Sequence, residues 1–220
     1  MASVQAPQDR PALRRIVLVR HGESDGNSRI RLIGSGDPPL SSAGRAQMLA
    51  ARAALAGQVI DAVVASPARR SWQSAVALAG GADVRLEADF REIHFGRWEG
   101  RRVDEIRSAD PVLYEQWREG APEFEYPGGE LRARFRARVE QGLERLLRSG
   151  ATSALLVVHK GVIRHLVEKL TGAALEDRDR PALGEVLVLT RVGDHWELGG
   201  RSSNPPGVET PAPTAPAAAA

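Results

Sequence analysis

Three short apolar runs, each followed closely by a histidine or arginine, constrain the fold of this chain most strongly. They are residues 16–19, followed by Arg20 and His21, residues 61–65, followed by the segment that ends at Arg70, and residues 154–158, followed by His159 and Lys160. Continuous apolar runs of this length are typical of parallel strands buried on both faces. The carboxyl ends of parallel strands meet at one edge of a sheet, where α/β proteins place their ligands. The sequence therefore predicts a cluster of cations and imidazoles at one sheet edge.

Helical patterns separate these runs. Apolar spacing predicts helices over residues 41–56, 130–148 and 161–170, and Ser66-Pro67 is typical of a cap and first turn of another. Two short apolar runs around Gly193-Asp194 indicate a hairpin or edge strands over residues 185–198. Strands that alternate with helices favour a mostly parallel sheet covered on both faces. The predicted fold class is a three-layer α/β/α sandwich.

Composition indicates one domain with polar ends. The chain has 220 residues, of which 42% are hydrophobic and 26% charged, as in ordinary globular proteins. Residues 1–13 are polar and contain proline, and residues 202–220 form a Pro/Ala-rich tract. Neither end has enough apolar surface to order itself. We therefore expect a folded domain over residues 14–201 between two disordered ends.

Charge and residue usage exclude several classes of function. The 30 basic residues nearly balance 28 acidic ones, and no basic block indicates nucleic acid or a membrane surface as partner. The absence of cysteine excludes disulfides, thiolate catalysis and cysteine-bound zinc, and His94, His165 and His195 lack the spacing of metal ligands. The chain has neither a signal-peptide core nor an apolar stretch of about 18 residues, so the expected location is cytoplasmic.

The basic groups suit chemistry on a phosphate ester. Such an ester repels nucleophiles, and an enzyme without a metal must neutralise its oxygens with fixed cations and hydrogen-bond donors. Arg20 and Arg70 can supply bidentate contacts, and helix starts near Ala68 and Gly161 would add backbone N–H groups. A neutral His21 could then attack phosphorus and form a phosphohistidine.

The leaving oxygen also needs a proton. The stretch from Asp89 to Gly100 places carboxylates beside apolar and aromatic residues, surroundings that raise a carboxyl pKa. Glu92 is the predicted general acid and, in the second step, the general base. Asp89 and Glu99 remain alternatives.

Five motifs, in this order along residues 14–200, make the chain resemble the histidine phosphatase superfamily, in its phosphoglycerate mutase-like branch. The motifs are LVRHGES from Leu18 with Asn27, GSGDPPLSSAG from Gly34, SPARRSWQSA from Ser66, REIHFGRWEG from Arg91 and VVHKGVIR from Val157. The resemblance implies a phosphoglycerate mutase-like α/β sandwich that works without a metal or an organic cofactor.

The resemblance also implies a role for each matching residue. His21 would be the phosphorylated nucleophile, Glu92 the proton donor, and Arg20, Arg70 and His159 the phosphate pocket. Asn27, Glu23 and Gly34 would contact the phosphate or the rest of the substrate. Lys160 departs from the family pattern, which usually has glycine there, and it could either face an anionic substrate or extend into solvent.

The predicted function is hydrolysis of a small phosphorylated metabolite, with a homodimer as a possible assembly. A mutase would use the same residues for transfer within the substrate, and a non-catalytic phosphoester-binding module is the least favoured alternative. The short link between the acid motif and the Pro-Gly-Gly-Glu run at residues 127–130 favours a phosphatase. Residues 101–127 should cap the site, with side chains suited to stacking and anion contact in Tyr114, Trp117, Phe124, Tyr126 and Arg118.

Overall fold

A computed structural model of the chain describes residues 12–26, 30–175 and 179–202. Asn27, predicted to contact the phosphate, lies outside these ranges. So do residues 1–11 of the predicted N-terminal segment and the tail from residue 203 onward. Within the described ranges, no helix combines the length and apolar character needed to cross a membrane.

A six-stranded sheet forms the centre of the domain, in the order β3-β2-β4-β1-β5-β6. The strands are β1 (Arg15–Arg20), β2 (Ala62–Ala65), β3 (Val84–Leu86), β4 (Ser153–Val158), β5 (Val186–Val192) and β6 (His195–Ser202). The first four pair in parallel, whereas β5 is antiparallel to both of its neighbours. The predicted mostly parallel sheet and the terminal hairpin are therefore confirmed.

Helices cover both faces of this sheet. They are α1 (Ser42–Ala54), α2 (Arg69–Ala79), α3 (Val103–Ala109), α4 (Pro111–Glu119), α5 (Arg132–Leu147) and α6 (Lys160–Thr171). Strand residues alternate between the layers because successive side chains point to opposite faces. Val17 packs in the core that contains Met48 of α1, and Leu18 in the core that contains Val139 of α5. The predicted three-layer sandwich is confirmed.

The structure corrects the predicted start of α2. The Ser66-Pro67 pair is neither its cap nor its first turn, because the cap position is Ala68 and the helix begins at Arg69. The hydroxyl of Ser66 instead accepts a hydrogen bond from the Ala68 N–H at 3.3 Å and contacts His159. The residue predicted to cap a helix thus belongs to the sheet edge where the histidines lie.

Helices α3 and α4 had no counterpart in the predicted elements. Together with the segment that follows them they enclose a small core of their own, formed by Leu32, Trp98, Ile106, Tyr114 and Phe124. The indole of Trp98 is fully buried, and its Nε1 donates to the Asp110 carboxylate at 2.7 Å. The region predicted to cap the site therefore contains two helices and a core of its own.

Candidate active site

The sheet order brings the predicted groups together. Strand β4 lies between β1 and β2, so the residues after these three strands converge at one edge. The imidazole rings of His21 and His159 lie 5.1 Å apart between centroids, and Arg70 Nε lies 3.3 Å from His21 Nε2. All three side chains are buried. Residues separated by more than a hundred positions along the chain thus form one cluster.

His21 is held in a single tautomer. Its Nδ1 lies 2.7 Å from the Gly22 carbonyl oxygen, which can only accept, so Nδ1 carries the proton and Nε2 keeps its lone pair. Arg70 Nε donates to that lone pair. Burial, followed by repulsion from Arg70 and Arg20, holds the pKa of His21 well below its usual value of 6.5. The ring is therefore neutral at pH 7 and has the form that a nucleophile requires.

His159 offers a donor. Its Nε2 lies 2.8 Å from the Ser66 hydroxyl, which already accepts from the Ala68 N–H and can give its own hydrogen to the imidazole. The proton of a neutral His159 then resides on Nδ1, which is buried and has no acceptor among the residues described. Burial, with repulsion from Arg70, holds the pKa of His159 well below 6.5. This ring can supply an N–H to an incoming oxygen.

Arg70 differs from the expected bidentate fork. Its Nη1 donates to the Gly36 carbonyl at 2.7 Å, and its Nη2 to the carbonyls of Gly34 at 2.9 Å and Ile33 at 3.1 Å. Only Nε faces His21. The guanidinium therefore links the nucleophile to the loop of residues 33–36, and two-pronged contact with a phosphate requires some of these carbonyl bonds to be exchanged.

The carboxylate of Glu99 organises the same loop. It accepts from the N–H groups of Gly34 at 2.8 Å, Gly36 at 3.1 Å and Phe95 at 3.3 Å. Asp89, the other alternative acid, is paired with Arg145. Asp89 and Glu99 thus both have structural partners. The role of Glu99 in holding this loop was missed from the sequence, because Gly34 and Gly36 lie more than sixty residues away from it along the chain.

Glu92 links the acid motif, to which it belongs, with the start of α6. Its Oε1 accepts from the Ile93 N–H at 3.0 Å, and its Oε2 accepts from the Gly161 N–H at 3.0 Å. Gly161 belongs to the first turn of α6, two residues after His159. The side chain is only partly buried and lines a cavity. Glu92 therefore lines the cavity and is also bonded to the turn that follows His159.

Arg138 positions the segment that carries Glu92, and sequence reasoning missed it. From α5 it makes a two-pronged ion pair with Glu130, at 2.7 and 2.8 Å. It also donates to the carbonyls of Asp89 at 2.8 Å, Arg91 at 2.7 Å and Glu92 at 3.1 Å. No sequence signal separates this arginine from the other arginines of α5, because its partners come from distant segments.

Arg20 and Lys160 add positive charge. Arg20 Nη1 donates to the Pro181 carbonyl at 2.9 Å, and burial lowers its pKa to about 10. Lys160 lines the cavity beside Glu92. Burial, with repulsion from Arg20 and Arg180, lowers its pKa to about 8. The Lys160 side chain thus faces the cavity and does not extend into bulk solvent.

The cavity has a volume of about 420 Å³, within the range of small-molecule sites. Four of the five cap side chains that were predicted to suit substrate contact line it, namely Trp117, Arg118, Phe124 and Tyr126. Tyr114 does not, because its ring is buried in the core of the cap. A second, smaller cavity of about 240 Å³ adjoins Glu92 on the side of Gly34.

Gly34 and Glu23, which were also predicted to contact the substrate, make hydrogen bonds within the protein. Gly34 holds the loop through its carbonyl and N–H, and an added Cβ there would lie 2.0 Å from the Ile93 oxygen. The Glu23 N–H donates to Gln47 Oε1 at 2.8 Å, and its carbonyl accepts from the Ser41 N–H. In the part of the chain that the structure describes, no three His, Asp or Glu side chains are grouped so that they could hold a metal ion.

Comparison with known proteins gives consistent matches. The sequence profile of the histidine phosphatase superfamily, branch 1, matches residues 16–202. Glucosyl-3-phosphoglycerate phosphatase of Mycobacterium tuberculosis is 34% identical over 199 residues, covering 84% of this chain and 88% of the relative. Phosphoserine phosphatase 1 of Hydrogenobacter thermophilus is 30% identical over 164 residues, covering 73% and 78%. The crystal structure of a putative alpha-ribazole-5'-P phosphatase from Escherichia coli superimposes with a TM-score of 0.77 at 26% identity, covering 90% of this chain and all of that one.

Proposed function

This chain belongs to the histidine phosphatase superfamily, branch 1, and we propose that it hydrolyses a small phosphate monoester through a phosphohistidine formed on His21. The observation that carries the proposal is the 2.7 Å contact between His21 Nδ1 and the Gly22 carbonyl. It leaves a neutral Nε2 lone pair beside the Arg70 guanidinium, in the place where a phosphoryl group would meet fixed positive charge. Two relatives named above, glucosyl-3-phosphoglycerate phosphatase and phosphoserine phosphatase 1, support hydrolysis by their names.

In the first step, His21 Nε2 attacks phosphorus, and the bond between phosphorus and the ester oxygen breaks. Arg20, Arg70 and the Nδ1–H of His159 stabilise the charge on the phosphoryl oxygens. Arg70 exchanges part of its bonding to the carbonyls of loop 33–36 for bonds to the phosphate. A protonated Glu92 gives its proton to the departing oxygen, and the alcohol leaves.

In the second step, water attacks the phosphorus of phospho-His21. Glu92, now a carboxylate, takes the proton from that water, and the bond between phosphorus and Nε2 breaks. Inorganic phosphate leaves, and the neutral imidazole and protonated Glu92 return. On the substrate side we assign Asn27, Glu23, Gly34 and Lys160 to contacts with the phosphate or the alcohol portion of the ester.

The experiment compares His21→Ala and Glu92→Gln with the unchanged enzyme and with His195→Ala, an exposed histidine outside the site. His21→Ala should abolish turnover and any acid-labile label from a ³²P-labelled ester, because no nucleophile remains. Glu92→Gln should slow alkyl esters by roughly 10²–10⁴ and 4-nitrophenyl phosphate far less, because a good leaving group needs little proton transfer. His195→Ala should match the unchanged enzyme in both assays.

Two results would contradict the mechanism. Turnover that survives in His21→Ala would exclude this histidine as the nucleophile. Equal losses for alkyl and aryl esters in Glu92→Gln would exclude Glu92 as the proton donor.

A further inference from the structure

The ring of His21 is held at both of its nitrogens. Nδ1 donates to the Gly22 carbonyl at 2.7 Å, and Nε2 accepts from Arg70 Nε at 3.3 Å. In the proposed attack Nε2 bonds to phosphorus and gives up its bond from Arg70, so the contact with Gly22 is the one of these two that remains. The direction of the Gly22 carbonyl therefore decides how the nucleophilic ring is held while the new bond forms.

The contact with Gly22 also strengthens as the proposed reaction proceeds. When Nε2 shares its lone pair with phosphorus, the imidazole ring becomes positively charged and its proton stays on Nδ1. A hydrogen bond from a charged donor is roughly twice as strong as one between neutral groups. The Gly22 carbonyl thus stabilises the transition state more than it stabilises the free enzyme, and only such a contact accelerates the chemical step.

Two side chains hold the peptide groups on either side of Gly22. The Glu23 N–H donates to Gln47 Oε1 at 2.8 Å, and the Gly22 N–H donates to Ser74 Oγ at 3.1 Å. The Glu23 N–H and the Gly22 carbonyl belong to one planar peptide group, so a bond that fixes the N–H also fixes the direction of the carbonyl. Gln47 therefore acts directly on the group that accepts from His21.

Helix α1 lies close enough to this segment for Gln47 to reach it. Gly44 is three residues before Gln47 on α1, and so on the same face of the helix. A Cβ on Gly44 would lie 2.0 Å from the Glu23 carbonyl oxygen, so a side chain there would force the first turn of α1 away from residues 22–23. The bond between Gln47 and Glu23 is partly buried as a result of this close packing.

Ser74 connects the other peptide group to Arg70. Its hydroxyl donates to the Arg70 carbonyl, one turn earlier in α2, at 2.7 Å, so its oxygen can only accept from the Gly22 N–H. The Ser74 side chain is fully buried. The hydrogen bonds form a closed ring, because the Gly22 carbonyl accepts from His21 and the Arg70 guanidinium donates to the same imidazole.

We propose that Gln47 and Ser74 are positioning residues for the nucleophile, which fix the peptide groups around Gly22 so that its carbonyl holds the Nδ1–H of His21 while Nε2 attacks phosphorus. Both side chains act through the backbone beside the ring. The proposal rests on the proposed function for the attack itself, whereas the hold on the Nδ1–H can be measured in the resting enzyme.

The principal variant is Gln47→Leu, which removes the acceptor and leaves a side chain of similar length. In a single turnover, the rate at which acid-labile ³²P label forms should fall about tenfold, as for the loss of roughly one net hydrogen bond. The ester concentration that gives half of the maximal rate should hardly change, because the contact gains strength only in the transition state. Glycerol 3-phosphate and 4-nitrophenyl phosphate should lose rate equally, in contrast to their response to Glu92→Gln.

Nuclear magnetic resonance of the resting enzyme measures the positioning without turnover. With ¹⁵N-labelled histidine, the Nδ1–H signal of His21 is identified as the one that is lost in His21→Ala. Its exchange with solvent at pH 7 should be about tenfold or more faster in Gln47→Leu and in Ser74→Ala than in the unchanged enzyme. Gln47→Glu keeps an acceptor oxygen at the same place, so it should restore both slow exchange and most of the phosphorylation rate.

Gln58→Leu is the matched control. It also replaces a half-buried glutamine, whose Oε1 accepts from Arg15 at the opposite end of β1, and it should change neither measurement. Gln47→Leu with an unchanged phosphorylation rate, or with a lower rate but an Nδ1–H of His21 that still exchanges slowly, overturns the positioning role. Faster exchange in Gln47→Leu, with no phosphate released from either ester by the unchanged enzyme, supports the hold on the ring and overturns only the phosphatase proposal.

Discussion

Gly161→Ala is expected to damage catalysis without damaging the fold. A Cβ at this position would lie 2.4 Å from Glu92 Oε1, whereas ordinary contacts are 3.4–4 Å. The carboxylate would have to move by about 1 Å, the scale on which misplacement of a reacting group costs roughly 10²-fold in rate. The backbone N–H that donates to Glu92 remains, but its 3.0 Å bond to Oε2 would be strained.

The stability terms nearly cancel. Alanine is favoured over glycine by about 0.5–1 kcal/mol within a helix, and Gly161 lies in the first turn of α6 with an ordinary negative φ. Weakening the two hydrogen bonds of the partly exposed Glu92 should cost a similar amount, because each contributes about 0.5–1.5 kcal/mol. The net change should stay within about 1 kcal/mol, or a shift in Tm of roughly 2–4 °C.

The assay compares an alkyl ester with 4-nitrophenyl phosphate, and it adds the double variant Gly161→Ala with Glu92→Gln. Because the alanine acts through Glu92, the alkyl rate should fall by about 10²-fold, the aryl rate far less, and the double variant should be no slower than Glu92→Gln alone. Gly199→Ala, where the added Cβ has only one neighbour, at 3.9 Å, is the matched control. Additive losses, or an equal fall for both esters, would refute the reasoning.

Three further predictions concern the supports of the site, its titration and its reaction type. Arg138→Met should lower the free energy of unfolding by about 2–4 kcal/mol in urea titrations, because five hydrogen bonds are lost and Glu130 is left unpaired. Adding Glu130→Gln to Arg138→Met should restore part of the lost free energy of unfolding. Full stability in Arg138→Met alone would contradict the supporting role of Arg138. Folding lowers the pKa values of His21 and His159, so the unfolded chain binds more protons than the folded chain below about pH 6.5. The free energy of unfolding should therefore fall as the pH drops from about 6.5, by up to roughly 1.4 kcal/mol per pH unit for each ring. Urea midpoints at pH 7, 6 and 5 measure this dependence on pH. His159→Gln should reduce the slope by the contribution of one ring, up to roughly 1.4 kcal/mol per pH unit. With 3-phosphoglycerate and a trace of 2,3-bisphosphoglycerate, free phosphate should form faster than the 2-phospho isomer, whereas the reverse order would assign a mutase.

Much of this domain follows from its sequence. Apolar runs at residues 16–19, 61–65 and 154–158 are long enough to be strands and too uniformly apolar to face solvent, so they require a sheet covered on both sides. Parallel pairing then places His21, Arg70 and His159 at the same edge of the sheet, whatever the order of the strands. How close these residues lie along that edge depends on the strand order. The preference for Glu92 over Asp89 and Glu99 came from the resemblance of the acid motif to that of the family, and the role of Glu92 as the acid stays a prediction.

Tertiary structure decided everything that depends on partners distant along the chain. Ser66 is hydrogen-bonded to His159 from 93 residues away, Glu99 holds the loop at Gly34, and Arg138 holds the carbonyl of Glu92. Hydrogen bonds of this kind are set by where elements pack, which no local pattern encodes. The same packing turned Lys160 toward the cavity, brought Arg164 and Arg180 beside it, and buried Tyr114 inside the cap. The residues proposed to react could therefore be singled out from the sequence, whereas the contacts that support them and the lining of the cavity exist only once the chain has folded.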